Sequence, residues 1–144
     1  MIIYLDFDGT VVEQRFPLIG KYNEGCFTVL KKLQDAGHDI IINTYRANYS
    51  KSSLKQALKF LNNIKVKSED TFEKIEDINL NKIHQFNTLK LHPHWWNWNH
   101  FFEINCIFID DRSSGIPLKE NSSKDGWIVD WKEINKQFLD NGIY

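Results

Sequence analysis

The sequence predicts an α/β domain, and three features carry that prediction. Short apolar runs (Ile2–Leu5, Ile40–Ile42 and Ile104–Ile109) alternate with stretches that repeat apolar residues at helical spacing. Each run stops abruptly at polar or acidic residues: Asp6-Phe7-Asp8, Asn43-Thr44 and Asp110-Asp111. Runs that are hydrophobic on both faces suit parallel strands covered by helices on two sides. The expected architecture is three-layer and Rossmann-like, with a mostly parallel five-stranded sheet.

Met1–Leu5 reads as the first strand. Asn23 to Ala36 places Phe27, Leu30 and Leu33 on one helical face, and Gly37 is the stop. Asp39–Ile42 is the second strand. Ser50 caps a helix running to about Leu61, with Leu54, Leu58 and Leu61 aligned. Ile64–Val66 reads as a short third strand. Between Lys67 and Leu91 the periodicity fades, and Asp70–Ile78 and Asn81–Leu91 each read as a short helix or an irregular loop. Ile104–Ile109 and Gly126–Val129 are the fourth and fifth strands. Asp130, with Glu133 three residues on, forms a capping box for a last helix that stops near Gly142.

A chain of 144 residues suits one domain, residues 1–144, with no linker and no internal repeat. The formal net charge of −1 gives no reason to expect a nucleic-acid or membrane surface. The apolar runs are far too short to span a bilayer. Asp6 and Asp8 interrupt the N-terminus where the apolar core of a signal peptide would lie. Cys26 and Cys106 show no metal-ligand spacing and read as reduced, buried thiols of a cytoplasmic protein.

In a doubly wound parallel sheet, the carboxyl ends of the strands face one edge, where the ligand crevice lies. If the strands before Asp6 and Asp110 are neighbours, the carboxylates of Asp6, Asp8, Asp110 and Asp111 converge there. Unpaired, such a cluster is strongly destabilising, because like charges repel and raise one another's pKa. A divalent cation resolves the conflict, and oxygen-only ligands point to Mg²⁺ rather than zinc.

Asp6-Phe7-Asp8-Gly9-Thr10 follows an apolar strand, and chance would produce D-x-D-G-T in a chain this long on the order of once in a thousand. It resembles motif one of the haloacid dehalogenase-like (HAD) superfamily, most of whose members are phosphatases. Ile40-Ile41-Ile42-Asn43-Thr44 resembles the second motif, and Ile107-Phe108-Ile109-Asp110-Asp111 the fourth. Asp110-Asp111-Arg112 through Gly115-Ile116-Pro117 is similar to a group of small bacterial and phage members.

The resemblance implies a Mg²⁺-dependent phosphatase that hydrolyses a phosphate monoester. Asp6 would be the nucleophile and form an aspartyl-phosphate. Asp8 would protonate the leaving oxygen and later deprotonate water. Thr44 would hold phosphoryl oxygens, with Gly9, Thr10, Asn43 and Arg46 completing the substrate-binding set. Asp6, the Asp8 carbonyl, Asp110 and Asp111 would hold the metal. For the motif-three lysine, Lys90 is the choice, since it precedes a segment long enough to form a helix leading into Ile104–Ile109. Lys82 is the alternative and Lys55 an outsider. Glu13 to Gly20 resembles the family's flap and would put Arg15 or Phe16 near the substrate.

Thr10 to Asn43 and Ala47 to Leu91 leave no room for a cap domain, so a capless, open site is expected. It would accept a phosphorylated polymer end or small molecule, or else take its closure from a second subunit of a homo-oligomer. The competing reading is a HAD-fold protein that binds a phosphorylated ligand or partner without turnover. Dehalogenases lack the second aspartate, so Asp8 argues against that chemistry. His92, His94 and His100, interleaved with Trp95, Trp96 and Trp98, match no recognised zinc spacing. That segment reads as an aromatic helix face packed on the sheet, against a competing role in stacking on a base or sugar.

Overall fold

A computed structural model describes residues 1–63, 65–67, 72–74, 97–100 and 106–144. The chain runs β1 (Ile2–Leu5), α1 (Cys26–Asp35), β2 (Asp39–Ile42), α2 (Arg46–Tyr49), α3 (Lys51–Asn63), β3 (Lys65–Lys67) and β4 (Phe72–Lys74). A 3-10 turn (Trp98–His100) then precedes β5 (Cys106–Ile109), β6 (Leu118–Glu120), β7 (Trp127–Val129) and α4 (Trp131–Asp140). The fold is α/β.

β1 lies between β2 and β5, parallel to both. Leu5 pairs with Ile42 on one side and Ile109 on the other, so the three strands end level. The next residues, Asp6, Asn43 and Asp110, therefore emerge along one sheet edge. The two-residue period of the strands divides their side chains between two faces. Ile3, Leu5, Ile40, Ile42, Ile107 and Ile109 join the main core, whereas Tyr4 stacks on Phe108 at 4.6 Å in a second cluster.

Helices close the main core with apolar stripes. In α1 these are Phe27, Leu30 and Leu33, and in α4 they are Trp131, Ile134 and Phe138. Fully burying side chains of this size contributes about 1.5–3 kcal/mol each. Asp130 caps α4 as expected, its carboxylate accepting from the N–H groups of Lys132 and Glu133. The reciprocal half of the capping box is absent, because the Asp130 N–H donates to the Pro117 carbonyl. Ser50 caps α3 by accepting from the Ser53 N–H at 3.0 Å.

Three expectations change. β7, expected in the parallel sheet, pairs antiparallel with β6, and β3 pairs antiparallel with β4. β4 also falls inside Asp70–Ile78, read from sequence as helix or loop. Among the described residues the parallel sheet thus has three strands, accompanied by two hairpins. The connections explain this: parallel neighbours need a crossover of about a dozen residues or more. Only residues 68–71 and 121–126 join the strands of each hairpin.

Trp98 is buried beside Phe138, with its indole N–H donating to Gln137 Oε1 at 2.8 Å. The rest of the His/Trp-rich reading, at residues 92–96 and 101–102, lies outside the described residues, as do Asn81–Leu91 and the start of Ile104–Ile109. Cys26 is buried, Cys106 is half-buried and both are free thiols. Among the described residues no helix is long and apolar enough to cross a membrane.

Candidate active site

The site is built on the turn that follows β1. Asp6 continues the ladder, its N–H donating to the Ile109 carbonyl at 3.0 Å, and the Asn43 N–H donates to Leu5 at 2.7 Å. The chain then folds back, with the N–H groups of Val11 and Val12 both donating to the Phe7 carbonyl. Gly9 sits at φ +79°, where a side chain is strained, and a Cβ there would lie 2.7 Å from Asp111 Oδ2 and overlap Gln14 Nε2.

Thr10 anchors the turn. Its carbonyl accepts from Asn23 Nδ2 at 2.9 Å and from the Trp131 indole at 2.8 Å. Asn23 also donates to Val129, tying the turn to the end of β7. So held, the Thr10 hydroxyl donates to Asp6 Oδ2 at 2.9 Å. Trp131, a large core residue, thereby also helps to position the carboxylate of Asp6.

Asp6, Asp110 and Asp111 each bring an oxygen within 4.8 Å of the others. After β5 the chain turns sharply, the Ser113 N–H donating to the Asp110 carbonyl and the Arg112 N–H to Asp110 Oδ1. Burial, then the charges of Asp110 and Asp111, push the Asp6 carboxyl well above the usual range, although the Thr10 hydrogen bond pulls it down. Asp110 is pushed up to about 7, first by burial, with the Arg112 N–H opposing and Asp111 reinforcing the rise. Carboxylates pushed up by burial and by one another's charge gain from added positive charge, and a hard cation is a group they fit.

Asp8 stands apart from the cluster. Its Oδ2 accepts from Arg46 Nε at 2.7 Å and its Oδ1 from Arg46 Nη2 at 2.8 Å, a bidentate pair. Arg46 is fully buried between the rings of Phe7 and Phe16, at 5.4 and 5.1 Å. Nη1 donates to Ser53 Oγ at 3.1 Å and Nη2 to the Leu18 carbonyl at 3.0 Å. One guanidinium thus joins Asp8, α3 and the loop from Glu13 to Gly20. Gln14 makes a second link, donating to the Asp8 carbonyl and to Asp111 Oδ2.

A cleft of about 220 Å³ opens over these groups. Asp6, Asp8, Thr44, Asp110 and Asp111 line it together with Gln14, Phe16, Tyr45 and Arg112.

No protein-family model matches the chain, and no curated protein matches it. A conserved protein from Bacteroides thetaiotaomicron has a similar structure, with a TM-score of 0.54. The two are 23% identical, over 97% of this chain and 90% of that one. That likeness speaks for a shared fold.

The structure brings the three expected strand ends to one cleft. The expected substrate-binding set is placed differently. Gly9, Thr10, Asn43 and Arg46 are all buried and are not among the residues lining the cleft. The Gly9 N–H donates to Val12, the Thr10 hydroxyl to Asp6, and the Arg46 guanidinium to Asp8. Arg46 was expected to meet substrate phosphate; its bidentate partner here is the carboxylate of Asp8. Asn43 Oδ1 is buried with no partner among the described residues. Thr44 Oγ1 accepts from the Arg46 N–H at 3.2 Å, which leaves its own hydrogen to donate. Lys90 and Lys82 lie outside the described residues, and Lys55 is exposed on α3 away from the cleft lining.

Gln14, Tyr45 and Arg112 went unnoticed as cleft residues in the sequence. Tyr45 and Arg112 directly follow motif residues, and that adjacency was the available signal. Gln14 carried none, since it reaches the site across 97 positions to Asp111.

Proposed function

We propose that this chain is a small, capless HAD-like phosphohydrolase that cleaves a phosphate monoester with Mg²⁺. One observation carries the reading: Asp6, Asp110 and Asp111 converge beneath a cleft that Asp8 and Thr44 also line. The level ends of β2, β1 and β5 support the accompanying three-layer, Rossmann-like fold. The donor set fits Mg²⁺, being oxygen-only, partly buried and destabilised in the absence of countercharge. Asp6, Asp110 and Asp111 would hold it, with the Asp8 carbonyl. When bound, the ion neutralises charge on the transferring phosphoryl group.

The chain's own residues divide the remaining work. A carboxylate oxygen of Asp6 forms a bond to phosphorus while the ester P–O bond breaks, leaving an aspartyl-phosphate. Thr10 orients that oxygen through its hydroxyl. Asp8 delivers a proton to the leaving oxygen and takes one from the water that hydrolyses the intermediate. To do so Asp8 exchanges one of its Arg46 hydrogen bonds for the substrate. Thr44 donates to a phosphoryl oxygen, and Lys90 is the proposed cationic partner of Asp6.

A second reading, binding without turnover, draws on the Arg46–Asp8 pair, which occupies both oxygens of the proposed acid. Assaying an aryl phosphate with Mg²⁺ on wild type and Asp6→Asn separates the two. Metal-dependent turnover that Asp6→Asn abolishes supports the enzyme. Mg²⁺ binding without turnover across a broad panel of esters would establish the binding protein instead.

A further inference from the structure

Three aromatic rings cluster at the cleft. Phe16 and Tyr45 line it, and Tyr49 packs against both. The Phe16 ring meets Tyr49 at 4.9 Å and 76°, and Tyr45 at 5.9 Å and 67°. Apolar rings are usually buried, yet Phe16 is 36% exposed, Tyr45 51% and Tyr49 53%. Phe16 rests on the buried Arg46 guanidinium, and Tyr45 directly follows the cleft residue Thr44.

Enclosing pockets for small ligands run to about 300–1,000 Å³. This cleft, at about 220 Å³, falls below that range yet exceeds what a phosphoryl group alone fills, so part of the esterified group can sit beside it. Phe16 and Tyr45 line that same space, with Tyr49 packed against them, so the group esterified to the phosphate meets these rings. Offset-stacked and edge-to-face contacts with such rings favour a planar, unsaturated partner.

We propose that Phe16, Tyr45 and Tyr49 form a subsite for a planar ring carried by the group esterified to the phosphate of the substrate. The shared chemistry is that of a phenyl ester or a nucleoside monophosphate. The assignment rests on the phosphohydrolase reading of the same cleft.

Calorimetric binding of phenylphosphonate and methylphosphonate in the presence of Mg²⁺ tests the subsite without requiring turnover. Phenylphosphonate is expected to bind about tenfold more tightly, the scale of one aromatic stacking contact. In Tyr45→Leu/Tyr49→Leu that preference should disappear, while methylphosphonate affinity stays within about twofold. A melting temperature near wild type checks that the variant is folded. Competition by phosphotyrosine and by a nucleoside 5′-monophosphate then distinguishes a phenyl ring from a base, and either result upholds the subsite. Equal binding of the two phosphonates, or a preference that survives the double substitution, overturns the subsite and leaves the phosphohydrolase reading standing. Failure of both to bind overturns the two together.

Discussion

Arg46 closes Nε and Nη2 onto the two carboxylate oxygens of Asp8, at 2.7 and 2.8 Å, from a fully buried position. The pair spans 38 positions and joins the start of α2 to the turn after β1. The same guanidinium accounts for Ser53, the Leu18 carbonyl and the faces of Phe7 and Phe16. Its first consequence is mechanical: Asp8 and the loop that carries Phe16 are held by one side chain.

Arg46→Ala should therefore cost about 3–5 kcal/mol, the range for breaking one side of a buried pair. Arg46→Lys keeps the charge but not the fork, and should recover only part of that stability. Chemical denaturation of the single variants and of Arg46→Ala/Asp8→Ala gives the coupling. The double variant should lose less than the sum of the singles. Additive costs would mean that the pair contributes nothing beyond its separate contacts.

The acidic cluster makes stability depend on pH in an unusual direction. Asp110 is raised from an ordinary 3.8 to about 7, and Asp6 is raised as well. Between those values the folded state binds more protons than the unfolded one, so stability falls as pH rises. From pH 5 to pH 7.5, Asp110 alone accounts for a loss of roughly 2–3 kcal/mol in metal-free protein. Mg²⁺ competes with those protons, so it should raise the melting temperature at pH 7.5 and have little effect at pH 5. Asp110→Asn should flatten the profile and remove the Mg²⁺ response. A metal-free protein whose stability does not fall between pH 5 and 7.5 relative to Asp110→Asn would refute this account.

Much of the site was legible because it follows from strand ends. Uninterrupted apolar runs stop where the chain leaves the core, and parallel pairing of Leu5 with Ile42 and Ile109 makes those stops coincide. That logic locates Asp6, Asp8, Thr44, Asp110 and Asp111 without any knowledge of side-chain packing. It fails for contacts between loops. The Arg46–Asp8 pair and the Gln14 bridge depend on how two irregular segments meet, and neither leaves a periodic trace. It also fails for short hairpin strands. Leu118-Lys119-Glu120 and Phe72-Glu73-Lys74 each hold a single apolar residue, so only pairing with a partner makes them strands. α2, four residues long, is too short to show a helical period.

Gly9→Ala tests the turn that sets the site. At φ +79° an alanine is strained by about 1–2 kcal/mol. Its Cβ would also displace Gln14 and the Asp111 carboxylate. The expected result is a modest fall in stability by denaturant titration and a much larger fall in Mg²⁺ affinity by calorimetry. If Mg²⁺ affinity is unchanged while stability falls, Asp111 does not need its present position to serve the metal.

Trp131→Phe separates core packing from positioning at the same residue. Phenylalanine keeps most of the buried apolar surface but removes the indole N–H that donates to the Thr10 carbonyl. Loss of one buried hydrogen bond and some volume should cost about 1–3 kcal/mol. Asn23 still holds the same carbonyl, so the turn should keep its shape. The Thr10 hydroxyl, which orients Asp6, sits on the loosened residue, and turnover should fall in kcat more than in KM. Thr10→Val removes that hydroxyl directly and should reproduce the kcat loss at a smaller cost in stability. If Trp131→Phe lowers stability but leaves kcat untouched while Thr10→Val lowers it, the indole supports the core and plays no part in positioning Asp6.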